Sequence, residues 1–148
     1  MTFKSFLDEI VYRVASCIVI ATVAMLAFSL VEGKLYPVVG ELTVGNVRAS
    51  EHSYSTAFDS SAEKYRDCIW KRTDWYIGSR LGSAVKTTGG YSGPPALNLV
   101  GLLTWDGQYA RMSRSELLTN SYSDVVHRCP WRLWDTVTPF YTATGEPT

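Results

Sequence analysis

The sequence predicts a mainly β protein, in which an N-terminal transmembrane helix is followed by an antiparallel β-sandwich holding one disulfide. Three observations carry that prediction. One apolar block near the N-terminus is about as long as a bilayer core is thick; the remainder is rich in Val, Thr, Tyr and Trp cut into short runs by Gly, Pro, Asp and Ser; and two of the three cysteines lie in those runs beside tryptophan. The 148 residues suffice for one domain with a core. Acidic and basic residues balance at 14 each, so overall charge gives no attraction to nucleic acid or to an anionic lipid surface.

The first element is a polar tail, residues 1–13, with Lys4, Asp8, Glu9 and Arg13. A helix over 14–33 comes next. Its apolar core, "VASCIVIATVAMLAFSLV" (14–31), holds no charge, Pro, Gly, Asn or Gln. At about 1.5 Å per residue this run covers roughly 27 Å, close to a hydrocarbon core. Two other readings compete with a permanent anchor. A cleaved signal peptide would have a shorter apolar run and a small-residue exit, whereas the exit here reads "FSLVEGK". A buried helix of a soluble domain would show a polar stripe, and this one is apolar all round. Cys17 precedes most of the apolar run and so is not a lipoprotein cysteine; it reads as a small filler in the helix. Ser16, Thr22 and Ser29 are expected to return their hydroxyls to the helix backbone. Lys4 and Arg13 face Lys34 and Arg48 across the span, so charge barely sets the orientation. A short tail before the span and a long domain after it have the form of a signal-anchor, with the N-terminus cytoplasmic and the domain outside.

The domain, residues 34–141, reads as strands at 38–47, 53–59, 64–77, 97–105, 108–112 and 124–140, with a break at Pro130 left open; residues 142–148 form a tail. "KTTGGYSGPP" (86–95) reads as an exposed loop, "WDGQY" (105–109) as a hairpin turn and "SRSELL" as one helical turn. Short strands between turn clusters argue for two packed antiparallel sheets. In "VVHRCPWRLWDTV" the odd positions Val125, Cys129, Trp131, Leu133 and Val137 are apolar and Arg128, Arg132, Thr136 and Thr138 polar, which predicts a buried odd face. Cys68 and Cys129 are the only cysteines beyond the span, and they are predicted to pair. The competing reading is two reduced core thiols in a cytoplasmic domain.

The span, "LYPVV" from Leu35, "KYRDC" ending at Cys68, "WY" with Gly78 two residues on, and the closing "HRCPW" and "FY" together resemble a group of small single-pass membrane proteins of tailed bacteriophages and prophages. The resemblance covers residues 35–141. It implies a Gram-negative inner-membrane anchor carrying a periplasmic Ig-like domain, and it transfers no catalytic residue.

No motif names a reaction. His52 and His127 are too few for a histidine-based metal site, and no Cys/His spacing fits a zinc knuckle, so no metal or cofactor is expected. His127 shares a strand face with Cys129, where a nucleophilic Cys–His pair competes with a plain core histidine beside a disulfide. Asp67 and Asp74 fall on opposite strand faces and do not make a paired-carboxylate site. Trp70 and Trp131 are expected in the core. Trp134, Arg132, Trp75 and Tyr91 form the candidate binding surface, because aromatic faces on a sandwich bind sugars or proteins. The leading expectation is therefore a non-enzymatic, membrane-anchored module that contacts another envelope protein, in superinfection exclusion or lysis regulation. A glycan-binding or glycan-cleaving domain and a virion membrane component are the alternatives. Nucleic acid is not an expected partner.

Overall fold

A computed structural model of the chain describes residues 3–49, 54–91, 99–130 and 132–144, with side chains from residue 9 onward except at residue 30. Two compact units divide it, Met1–Glu32 and Gly33–Thr148. The first unit is most of helix α1 (Phe3–Leu35), which has no Pro or Gly before Gly33 and is followed by Pro37. Within it, Glu9–Ser29 is long and apolar enough to cross a membrane, and no part of that stretch is buried by the rest of the chain. The hydroxyls of Ser16, Thr22 and Ser29 donate to the carbonyls of Tyr12, Ile18 and Leu26 at 2.8–2.9 Å, as expected, so these three hydroxyls are satisfied within the helix.

The second unit holds two four-stranded antiparallel sheets. Its strands are β1 (Thr43–Ala49), β2 (Thr56–Lys64), β3 (Ile69–Gly78), β4 (Ala84–Thr87), β5 (Gly89–Tyr91), β6 (Gly101–Ala110), β7 (Ser121–Arg128) and β8 (Asp135–Thr142). The sheets have the orders β1-β2-β6-β5 and β4-β3-β7-β8. β2 alternates strictly, sending Phe58 and Ala62 inward together with the polar Thr56, Ser60 and Lys64. Phe58 meets Trp75 of the other sheet edge-on at 5.5 Å, and Trp105 meets Phe140 at 6.2 Å, so aromatic rings from both sheets interlock in one core. A fully buried aromatic here contributes about 2–3 kcal/mol, and Phe58 is 0% exposed.

Residues 38–42 tie the two sheets at one side. Val39 bridges Lys64 of β2, the Tyr65 N–H donates to Val38 O, and the Leu42 N–H donates to Phe140 O of β8 at 2.6 Å. Helix α2 (Arg114–Thr119) joins β6 to β7 and is the turn expected at "SRSELL". Ser113 caps it, accepting from the Glu116 N–H while the Glu116 carboxylate accepts from the Ser113 N–H.

Several expected boundaries move. The run 64–77 is two strands: Lys64 ends β2, and residues 65–68 cross to the other sheet before β3. "WDGQY" is not a hairpin, because β6 runs through it. Asp106 and Gly107 form a bulge opposite β2, with Gly107 at φ +84 and its N–H donating to Asp59 Oδ1 at 3.0 Å. "KTTGGY" is not loop either. β4 pairs with β3, the chain changes sheets at Thr88, and β5 pairs with β6. Gly89 is needed there, since a Cβ would overlap the Trp75 ring. The rest of that expected loop, 92–95, lies outside the described residues.

The odd-face prediction holds along β7 and the residue after it, where Val125, His127 and Cys129 are buried, although the even-numbered Val126 is buried too, and it fails beyond Cys129. The turn between Cys129 and Trp134 inverts the parity, so β8 buries Thr136, Thr138 and Phe140 while Leu133 is 87% exposed and Val137 50%. Trp131 lies outside the described residues, as does His52.

Candidate functional site

The predicted disulfide is present between Cys68 and Cys129. It continues the β3–β7 register one step beyond Ile69↔Arg128, so it joins facing residues of neighbouring strands in one sheet. The bridge packs on Val38 in a small buried cluster of its own. Around it lies the most polar part of the interior. Lys64, 1% exposed, donates from Nζ to the Cys68 carbonyl at 2.6 Å. Burial pushes its ammonium below the usual lysine range, partly opposed by the charge of Asp67. His127 is fully buried, with its ring 5.1 Å from that of Trp70. Its pKa is lowered to about 4, first by burial and then by the cations of Lys64 and Arg66, so His127 is neutral at physiological pH.

This cluster cannot act as a Cys–His nucleophile, because the Cys129 sulfur is already bonded to Cys68. His127 and Cys129 do share a face, as the strand spacing predicts, and the arrangement is that of a core histidine beside a bridge. Among the described residues no group of three or more His, Cys, Asp or Glu is placed to hold a metal.

The carboxylates of Asp59, Asp74 and Asp135 are held by cations. Burial raises the Asp74 carboxyl, but hydrogen bonds from Lys86 and Arg72 outweigh it and leave the pKa below the ordinary value. Ion-pair distances there are 2.7 Å to Lys86 and 3.1 Å to Arg72. Asp59 accepts from Arg48, Asn46 and the Gly107 N–H, and its pKa is lowered chiefly by Arg48. The Asp135 pKa falls mainly through Arg128. A glycosidic general acid needs its pKa raised, and each of these carboxyls is shifted downward.

The four residues predicted as a binding surface are not brought together. Trp75 is a correction: it is 3% exposed, wedged between Phe58 and Tyr141, and has no face to offer a partner. Tyr91, on β5, packs against the core. Arg132 and Trp134 do meet, with the guanidinium 5.7 Å from the ring centroid in the turn between β7 and β8. Trp70 fills the core as expected, against Trp105 and Phe140.

Sequence reasoning missed two surface features. On the outer face of the β4-β3-β7-β8 sheet, Tyr76 and Tyr122 stack at 4.8 Å, and Arg80 lies over Tyr122 while ion-pairing with Asp124. The signal for that pairing was cross-strand register, which needs both strands placed. The second feature is a set of exposed apolar side chains, Tyr65, Ile69, Leu99, Leu102 and Leu133, at the disulfide end. No family model matches this chain, and no curated protein or solved structure matches it. The phage-protein resemblance therefore rests on its short motifs alone.

Proposed function

We propose that this chain is a non-enzymatic interaction module, held in a bacterial inner membrane by α1, with its β unit on the periplasmic side. The observation that carries this reading is the direct succession of an apolar stretch long enough to cross a bilayer, Glu9–Ser29, and a β unit whose two cysteines are bridged. Bridged cysteines are expected of an oxidising compartment. The strand orders support an Ig-like assignment for the β unit: β1-β2-β6-β5 corresponds to ABED, and β3-β7-β8 to CFG with β4 added at the edge. The bridge departs from that pattern, since it joins neighbours within a sheet.

The phage or prophage setting, with superinfection exclusion or lysis regulation as the task, comes from the motif resemblance. The stacked Tyr76–Tyr122 face with its charged margin is the surface best suited to a protein contact.

The test is thiol labelling of membranes from expressing cells, read as a mass shift in a Cys17→Ala variant with and without reductant. Labelling of Cys68 and Cys129 only after reduction is the expected result. Direct labelling of both in the unfolded, unreduced protein would place the domain in a reducing compartment and overturn the reading.

A further inference from the structure

Two irregularities of the β1-β2-β6-β5 sheet meet at one carboxylate. The partners of β1 shift from Gly45↔Asp59 to Arg48↔Ala57, so Asn46 and Val47 together oppose Phe58. On the other side of β2, Asp106 and Gly107 together oppose Asp59. Both neighbours of β2 are thus bulged, at adjacent β2 positions. Each bulge contains a left-handed residue, Asn46 at φ +47 and Gly107 at φ +84. Asp59 holds both. Its Oδ2 accepts from the Asn46 side-chain amide at 3.0 Å and from Arg48 at 3.2 Å. Its Oδ1 accepts from the other terminal nitrogen of Arg48 at 2.9 Å and from the Gly107 N–H at 3.0 Å. A two-pronged guanidinium contact of this kind fixes direction as well as charge.

β1 is also the long open edge of the β unit. The edge strands are β1 and β5 in one sheet, β4 and β8 in the other. β4 has four residues and β5 three, too few to serve as a template. β8 contains Pro139 and is covered by the incoming segment: the Leu42 N–H donates to Phe140 O at 2.6 Å, and the Val38 N–H to Thr138 Oγ1 at 3.4 Å. β1 has seven residues, and among the described residues its backbone pairs only with β2. Its sequence, "TVGNVRA", holds no Pro and a single charge, Arg48. The bulge is therefore the main feature that breaks this edge.

We propose that Asp59 is a clasp that keeps the β1 edge irregular and so closed to strand addition, and that the strand it excludes is β1 of a second copy. The clasp fixes the left-handed residue of each bulge, so that the extra residue of β1 cannot slip out of register and straighten the strand. Once released, β1 presents its outer N–H and C=O groups in line. An identical strand fits that edge, because antiparallel pairing about a two-fold axis satisfies the same groups on both copies at once. The strand's Thr and Val residues favour extended backbone, and its one charge lies near one end, away from such an axis.

The full chain with Cys17→Ala and Gly45→Cys is labelled with pyrene in an excess of detergent micelles. A Cβ at position 45 meets no atom within 4 Å, so the label fits there. A Leu81→Cys label, on the exposed turn after β3, reports indiscriminate clumping. One label per chain verifies that the native bridge is intact. Monomer emission is expected at both positions while the clasp stands. Two variants release it: deletion of Asn46 removes the extra residue and retains Arg48 and Asp59, and Asp59→Ser with Arg48→Thr removes the clasp without freeing a charge. Each should raise the excimer-to-monomer ratio at position 45 several-fold as concentration rises, and leave position 81 unchanged. No excimer at position 45 in either variant, with the near-ultraviolet dichroism of the core tryptophans retained, overturns the proposal. An equal rise at both positions overturns it in favour of general aggregation. Loss of the tryptophan signal in both variants also overturns it, since Asp59 then holds the fold and not the edge.

Discussion

Acidification should destabilise the β unit before its carboxylates titrate, and His127 is the cause. Its folded pKa is about 4 against an ordinary 6.5, because the ring is fully buried in a space facing Lys64 from β2 and Arg66 from the following turn. Above pH 6.5 the folded and unfolded chains both carry neutral imidazole, and the term is absent. Below it the unfolded chain takes up a proton that the folded chain refuses, so stability falls as pH drops from 6.5 and levels off below 4. A difference of about 2.5 pH units is worth about 3 kcal/mol, of which roughly 2.5 kcal/mol is lost by pH 4.5. The assay is urea unfolding of the full chain in detergent micelles, followed by tryptophan fluorescence from pH 7.5 to 4.5. The His127→Leu variant, with a different absolute stability, should lose the slope between pH 6.5 and 5. An equal slope in both proteins would refute the reasoning and move the acid sensitivity elsewhere.

The disulfide closes a loop of 62 residues, counted from the separation of 61, and chain entropy assigns it about 4 kcal/mol. Urea midpoints with and without reductant should differ accordingly. Gly89→Ala should cost roughly 1–3 kcal/mol in the same assay, since the new methyl group must displace the Trp75 ring. Tyr141 donates its hydroxyl to the Leu117 carbonyl at 2.9 Å, so Tyr141→Phe should cost about 1 kcal/mol. Phe58→Ala, at a fully buried ring in the centre of the core, should cost about 3–5 kcal/mol and is expected to be the most damaging of these.

What was legible in the sequence followed from local chemistry. An uninterrupted apolar run gave α1, the run "SRSELL" gave α2, and the period-two pattern placed Val125, His127 and Cys129 inside. The cysteine pairing followed from there being two cysteines beyond the apolar helix. What was not legible depended on partners distant in sequence. Asp-Gly reads alike for a hairpin and a bulge, and the choice at Gly107 goes with Asp59, which accepts its N–H from another strand. The Gly-rich run at 89–90 looks like loop until Trp75 is seen to need the space. Parity could not be carried past Pro130, because a turn of unknown length resets it, and Leu133 came out on the surface for that reason. The candidate surface failed at Trp75 because a tryptophan in a strand serves a core and a contact face equally well.

The placement of the bridge has a mechanical consequence. The chain enters the β unit at the disulfide end, through Val39 and Lys64, and β8 leaves at the other end, where Thr142 pairs with Tyr122. A pull between the incoming segment at Val39 and the outgoing end of β8 therefore loads the strands lengthwise, in shear, instead of peeling them one hydrogen bond at a time. If the unit yields, the residues between Cys68 and Cys129 stay a closed ring, which withholds roughly 215 Å of contour length. An oxidised domain can lengthen only by its two flanks, and reduction would more than double its reach.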